Sequence, residues 1–222
     1  MNYQLRVTAA LCVAMLSSSA CAGLISLPTT LDVLLPDGDF VTVGDYEFDD
    51  FTYTAGGDMP IAAQIGVDAI RGGLRFTGPF LDLPGGPGNG ASNATLGYTV
   101  TTTAGINEVL MRGNPSLLGG TGNASVTETF TGFPTIKLDI YDDPSGTFLE
   151  DSVRLGESVN TLTVVKGILL LTTDPIRNAT LSVLDQVVPE PTGLILALFG
   201  FLGLSVLHRS PRNATTKSTS NW

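Results

Sequence analysis

Apolar and polar residues alternate along most of this chain with the period of two that marks a strand burying one face. In "DYEFDDFTYT" the apolar set Tyr46 and Phe48 gives way to Phe51 and Tyr53, a change of phase at Asp49-Asp50 that predicts a β-bulge. "ATLGYTVTTT" carries Leu96, Tyr98 and Val100 on one face and threonines on the other, and "TIKLDIYDD" carries Ile136, Leu138 and Ile140 on one side. "AAQIGVDAI", "GLRFTGPFLDL", "ASVTETF", "GTFLEDSVRL", "NTLTVVKGILLLTT" and "NATLSVLDQVV" continue the series between turn-forming residues. "INEVLMRG" has too few residues to make a stable helix. "GILLLTT" lacks alternation, which predicts a strand in the middle of a sheet. Strands recurring at roughly 10- to 15-residue intervals, with no strong amphipathic helix, predict an all-β fold, an antiparallel β-sandwich spanning residues 23–186.

Both ends depart from this pattern. Arg6 precedes the apolar stretch "VTAALCVAM" and the small-residue segment "LSSSACAG", the three parts of a secretory signal peptide over residues 1–22. Ala20 and Ala22 stand in the A-x-A relation, so cleavage after Ala22 is expected; the rival reading makes Cys21 a lipidated cysteine. At the other end Gly193 to Leu207 is 15 residues without a charge. As a helix it would reach about 22 Å at 1.5 Å per residue. That is short against a hydrocarbon core of ~30 Å, though sufficient for a single transmembrane helix with snorkelling flanks or local thinning. Arg209 and Arg212 close it and orient the body outward by the positive-inside rule. Residues 213–222 read as a disordered tail.

Composition narrows the chemistry. The chain has 21 acidic and 11 basic residues, and Arg6, Arg209, Arg212 and Lys217 lie outside the body, which is therefore more acidic than the net charge of −10 suggests. So acidic a surface repels nucleic acid and anionic lipid, and neither is an expected partner. Cys12 and Cys21 both precede the body, and the sole histidine is His208. A body without cysteine or histidine offers no disulfide, no thiolate or imidazole zinc site, and no Ser/His or Cys/His nucleophile. Asp49/Asp50 and Asp142/Asp143 are carboxylate pairs, but adjacent residues on a strand point to opposite faces. The acidic turns "PDGDF" and "YDDPSG" could converge oxygens on calcium, yet neither has the EF-hand spacing; no metal ligand set and no cofactor is assigned. The glycines of "DLPGGPGNGASNA" (Asp82 to Ala94) do not have phosphate-loop spacing and read as a flexible hairpin loop. "GNPSLLGGTGN" (Gly113 to Asn123) is similar, and either loop offers a binding surface. Asn-x-Ser/Thr sequons at Asn93, Asn123, Asn178 and Asn213 reflect a composition rich in Asn and Thr.

Val188-Pro189-Glu190-Pro191-Thr192, an apolar helix and then arginines together resemble the PEP-CTERM protein-sorting domain of Gram-negative-type bacteria, here over residues 187–212. The resemblance implies that Pro189, Glu190 and Pro191 form the sorting motif. It also implies that an exosortase-type membrane protease removes the tail at the inner membrane and that the body reaches the cell surface or the extracellular matrix. Two prolines hold the triplet extended, as a protease cleft requires. The basic end departs from the family pattern: it is interrupted ("HRSPR"), and ten further residues follow. "GDYEFDDFTYT", "LGYTVTT", "ASVTETF" and "ATLSVLDQ" give the body a weaker likeness to ectodomains of that kind, with no assigned activity. The expectation is thus a non-enzymatic exported surface or matrix protein, with extracellular polysaccharide as a candidate partner. The alternative is a carbohydrate-binding or carbohydrate-acting β-sandwich.

Overall fold

The computed structural model describes residues 23–85, 90–118, 121–173 and 176–189. The expected signal segment with Ala20 and Ala22, and the expected tail with Glu190, Pro191, Arg209 and Arg212, lie outside the described residues. No described helix is long and apolar enough to cross a membrane.

Twelve strands follow in order: β1 (Thr29–Thr30), β2 (Val41–Val43), β3 (Tyr46–Gly56), β4 (Gly66–Ile70), β5 (Gly73–Asp82), β6 (Ala91–Gly113), β7 (Ser116–Leu117), β8 (Gly122–Phe130), β9 (Phe133–Asp143), β10 (Gly146–Phe148), β11 (Glu150–Thr172) and β12 (Ala179–Val187). One short helix, α1 (Leu31–Leu34), buries Leu31 and Leu34. All ladders between these strands are antiparallel.

The organising pair is β6 with β11. They match from Ala91↔Leu171 to Thr101↔Thr161, slip, and match again from Glu108↔Arg154 to Arg112↔Glu150. Gly105 and Gly156 sit in the slip with φ of +81° and +82°, a backbone that residues with a Cβ rarely adopt. The ribbon bends there and serves two layers. On one side of the bend its neighbours are β3, with β2 beyond it, and β8, with β9 and β10 beyond it. On the other side β6 pairs with β12, then β5, β4 and β1 follow.

The layers meet through one apolar core. Tyr98 of β6 has ring neighbours Phe48 and Phe51 from its own layer and Phe76 from the other, at centroid distances of 6.1, 5.7 and 5.9 Å. Burying an aromatic or aliphatic side chain of this size contributes about 1.5–3 kcal/mol. The predicted phase change is present as a bulge: β3 slips against β6 between Asp49 and Thr52, with Asp50 at φ +52°.

Two sequence expectations are corrected. "GILLLTT" does alternate: Leu162, Val164, Lys166, Ile168 and Leu170 face the core, while Val165 and Leu169 are 36% and 40% exposed. The strand is central, as predicted, but one of its faces is open. The 82–94 loop is no hairpin, because β5 and β6 do not pair with each other; it crosses between layers. Buried Asp82 anchors that crossing, accepting bonds from the Ser92 hydroxyl (2.8 Å) and the Thr172 N–H (3.0 Å). At its C-terminal end β12 runs to Val187, and the Val188 N–H bonds the Gly72 carbonyl at 2.8 Å.

Candidate functional site

The open face of the layer built on β3, β6, β11, β8 and β9 follows from the same alternation that fills the core. Residues between the inward positions point out, and register sets them in rows. Asp49, Thr99 and Thr163 form one row; Thr54, Thr95, Gly167, Thr127 and Asp139 form another. Next to it run Asn93, Leu169, Ser125, Tyr141 and Phe148. Hydroxyls face one another across the ladders, Thr99 with Thr163 at 3.3 Å and Thr101 with Thr161 at 3.4 Å. Gly97 and Gly167 are outward positions without a side chain, and the Thr52 hydroxyl lies over Gly97.

Its far edge is aromatic and charged. Tyr141 and the 44% exposed Phe148 lie side by side with ring centroids 6.0 Å apart. Beside them Asp139 accepts from the Thr127 hydroxyl (2.8 Å) and pairs with Lys137 (2.7 Å). Burial alone would raise the Asp139 carboxyl; the hydrogen bonds from Lys137 and Thr127 and the Lys137 charge outweigh it and hold the group below the usual carboxylate range. The face thus combines an apolar, partly aromatic strip with rows of neutral hydroxyls, a charged corner at Lys137 and Asp139, and Asp49 at the opposite edge.

Asp142 and Asp143 have structural partners. Asp142 accepts from the Leu117 N–H (2.7 Å) and the Thr147 hydroxyl (2.6 Å), and Asp143 caps the turn through Ser145. Asp49, at the opposite edge, is pushed up by burial and by the nearby charges of Asp50 and Glu47. No cluster of three metal-ligating side chains occurs among the described residues. A cleft of about 430 Å³ opens at the bend of the β6–β11 ribbon, lined by Glu108, Arg154, Glu157 and Ser158 among others. Arg154 pairs with Glu108 there at 3.5 Å. Pro189 stands at this cleft, one residue beyond the Val188–Gly72 backbone bond; Glu190 and Pro191 of the expected triplet lie outside the described residues.

Sequence reasoning singled out neither Tyr141 nor Phe148. The signal was present for Tyr141, because a core face made by Leu138 and Ile140 puts residue 141 on the outside. Phe148 depends on the pairing of β10 with β9, which no local pattern announces.

No family model and no curated protein matches the chain. Among solved structures, it is similar to TmCBM61 in complex with β-1,4-galactotriose at 10% identity and a TM-score of 0.34, covering 62% of this chain and 88% of that one. It is similar to the family 29 carbohydrate-binding module CBM29_1 from Piromyces equi at 8% identity and a TM-score of 0.18, covering 62% and 91%. The enzymatically active domain of bacteriophage CBA120 tailspike protein 4 matches at 13% identity and a TM-score of 0.25, with only 19% of that chain covered. Likenesses at this level say nothing of a ligand.

Proposed function

We propose that this protein is an exported β-sandwich that acts by binding rather than catalysis, and that its ligand is a neutral polysaccharide. The observation that carries the reading is the outward Tyr141–Phe148 pair set in line with exposed Leu169 and flanked by rows of threonine hydroxyls. A pyranose ring presents an apolar C–H face and a rim of hydroxyls. The first stacks on aromatic surface, and the second exchanges hydrogen bonds with side-chain hydroxyls. An open, shallow face suits a long chain better than a small free sugar, which would leave most of its surface wet.

Affinity electrophoresis through gels containing neutral polysaccharides tests this. Retardation is expected, and Tyr141→Ala with Phe148→Ala should weaken it about tenfold, the equivalent of ~1.4 kcal/mol. Both side chains are partly exposed, so thermal stability should hardly change. Equal migration of wild type and double variant in every gel that retards the protein would remove this face as the site.

Export and sorting belong to the same proposal. The signal segment, the Pro189-Glu190-Pro191 triplet and the basic end support an exosortase-type route to the cell surface or matrix. The Val188 N–H bond to the Gly72 carbonyl supports a body whose ladder reaches the residue before the triplet. Intact-mass analysis of the protein from its host decides the point: a product retaining residues beyond Thr192 means a membrane anchor, not a removed tail.

A further inference from the structure

The core holds a charged set that the binding face does not use. Lys166, at an inward position of β11, is 0% exposed; so is Glu128, its cross-strand partner on β8. Gln186 reaches them from β12 in the opposite layer and is 1% exposed. The Lys166 Nζ donates to Glu128 Oε2 and, at 2.5 Å, to Gln186 Oε1. Gln186 Nε2 is turned toward the Leu110 carbonyl at 3.4 Å, which fixes the plane of the carboxamide. Glu128 Oε1 has no hydrogen-bond partner among the described residues.

As an ion pair this is a poor arrangement. Two charges have been taken from water for one direct contact, and one carboxylate oxygen remains unpaired. A leucine at 166 would continue the run of Leu162, Val164, Ile168 and Leu170 at less expense. As a set of reactants the three groups are well placed: an amine, a carboxamide and a carboxyl in mutual contact, with water excluded.

We propose that Lys166 and Gln186 join through an intramolecular amide bond, with Glu128 as the proton-transfer group. The Nζ lone pair attacks Cδ of Gln186 and an N–C bond forms. Glu128 hands a proton to the carboxamide and takes one from Nζ. The Cδ–Nε2 bond then breaks, and nitrogen leaves as ammonia. The amine and carboxamide become one secondary amide plus ammonia, Glu128 ends as it began, and no oxidant or co-reactant is needed. Burial drives both ionisable partners toward the neutral forms this requires, lowering Lys166 and raising Glu128. Groups held in this way react at effective concentrations reaching about 10⁵–10⁸ M, which makes an otherwise slow aminolysis accessible after folding. The product is a covalent strut between layers in a body that has no cysteine to form a disulfide.

The test is the mass of the folded full chain, measured after denaturation in whatever processed form is recovered, followed by peptide mapping. The wild type should be lighter than its sequence by one ammonia, and digestion should yield a branched peptide joining Lys166 to Gln186. Glu128→Gln should keep the unshifted mass, as should Lys166→Met, which replaces the amine by an apolar chain of similar length. An unshifted wild-type mass overturns the proposal. So does the loss of one water, which would make Glu128 the acyl partner. Should neither variant fold, the wild-type peptide map decides alone.

Discussion

Replacing Tyr98 with phenylalanine removes a single oxygen from the middle of the core. The hydroxyl is buried with no hydrogen-bond partner among the described residues, while its ring packs against Phe48, Phe51 and Phe76. Burial, then the nearby charge of Glu128, pushes the phenol well above its ordinary value, as expected of a group that has lost water and gained nothing in return. An unsatisfied buried hydroxyl costs about 1–3 kcal/mol. The ring contacts survive the change, and the void left is smaller than a methyl group, worth at most ~1 kcal/mol. Tyr98→Phe should therefore stabilise the protein by about 1–2 kcal/mol, where most core substitutions destabilise. For a domain of this size that is a rise in Tm of roughly 2–8 °C. Urea unfolding should show a higher midpoint at an unchanged m value. A loss of about 1 kcal/mol or more would refute the reasoning and mean that the hydroxyl is paired in solution, with Glu128 Oε1 the matching unpaired oxygen.

Gly73→Ala should act in the opposite direction. An added Cβ would lie 1.8 Å from the Gln186 carbonyl oxygen and 3.0 Å from the Val187 Cα, so the backbones of β5 and β12 must part. A loss of about 3 kcal/mol or more is expected in urea unfolding, and near-wild-type stability would contradict the pairing. At the β9–β10 turn the Asp143 carboxyl is held below the usual range by the Ser145 hydroxyl, then by the Ser145 and Gly146 N–H groups. Its folded pKa lies below the unfolded one, so its contribution is present above the unfolded value and lost as pH falls through the folded one. Carboxyl NMR titration should give a midpoint below that of free aspartate, tracked by the two turn amides; a midpoint at or above it would remove the cap.

The regular parts of the fold were legible because period-two burial is written residue by residue. Leu96, Tyr98 and Val100 and the Asp49-Asp50 phase change sit where the pattern puts them. "GILLLTT" misled for a definite reason. Leu169 and Val165 are apolar residues on an open face, so the hydrophobic string hides the alternation, and inward Lys166 inverts it. Position 166 reads as polar, hence outward, until Glu128 and Gln186 are brought against it from strands 38 and 20 residues away in sequence. Crossing between layers is equally silent. The 82–94 loop has hairpin composition, and only the strand order, in which β12 lies between β5 and β6, shows that the strands it joins belong to different layers.

The position of β12 has a mechanical consequence. It is an inner strand, pairing with β5 along its length from Val187↔Gly73 to Ala179↔Asp82, and on its other side with β6 and β7. A tether pulling at Pro189 therefore draws β12 along its own axis. Ladder hydrogen bonds lie across that axis, so they carry load together instead of parting one at a time as in a peeled edge strand. A body held by its C-terminal end would resist drag as a clasp does, and an amide between Lys166 and Gln186 would set its rivet one residue from the end of that strand.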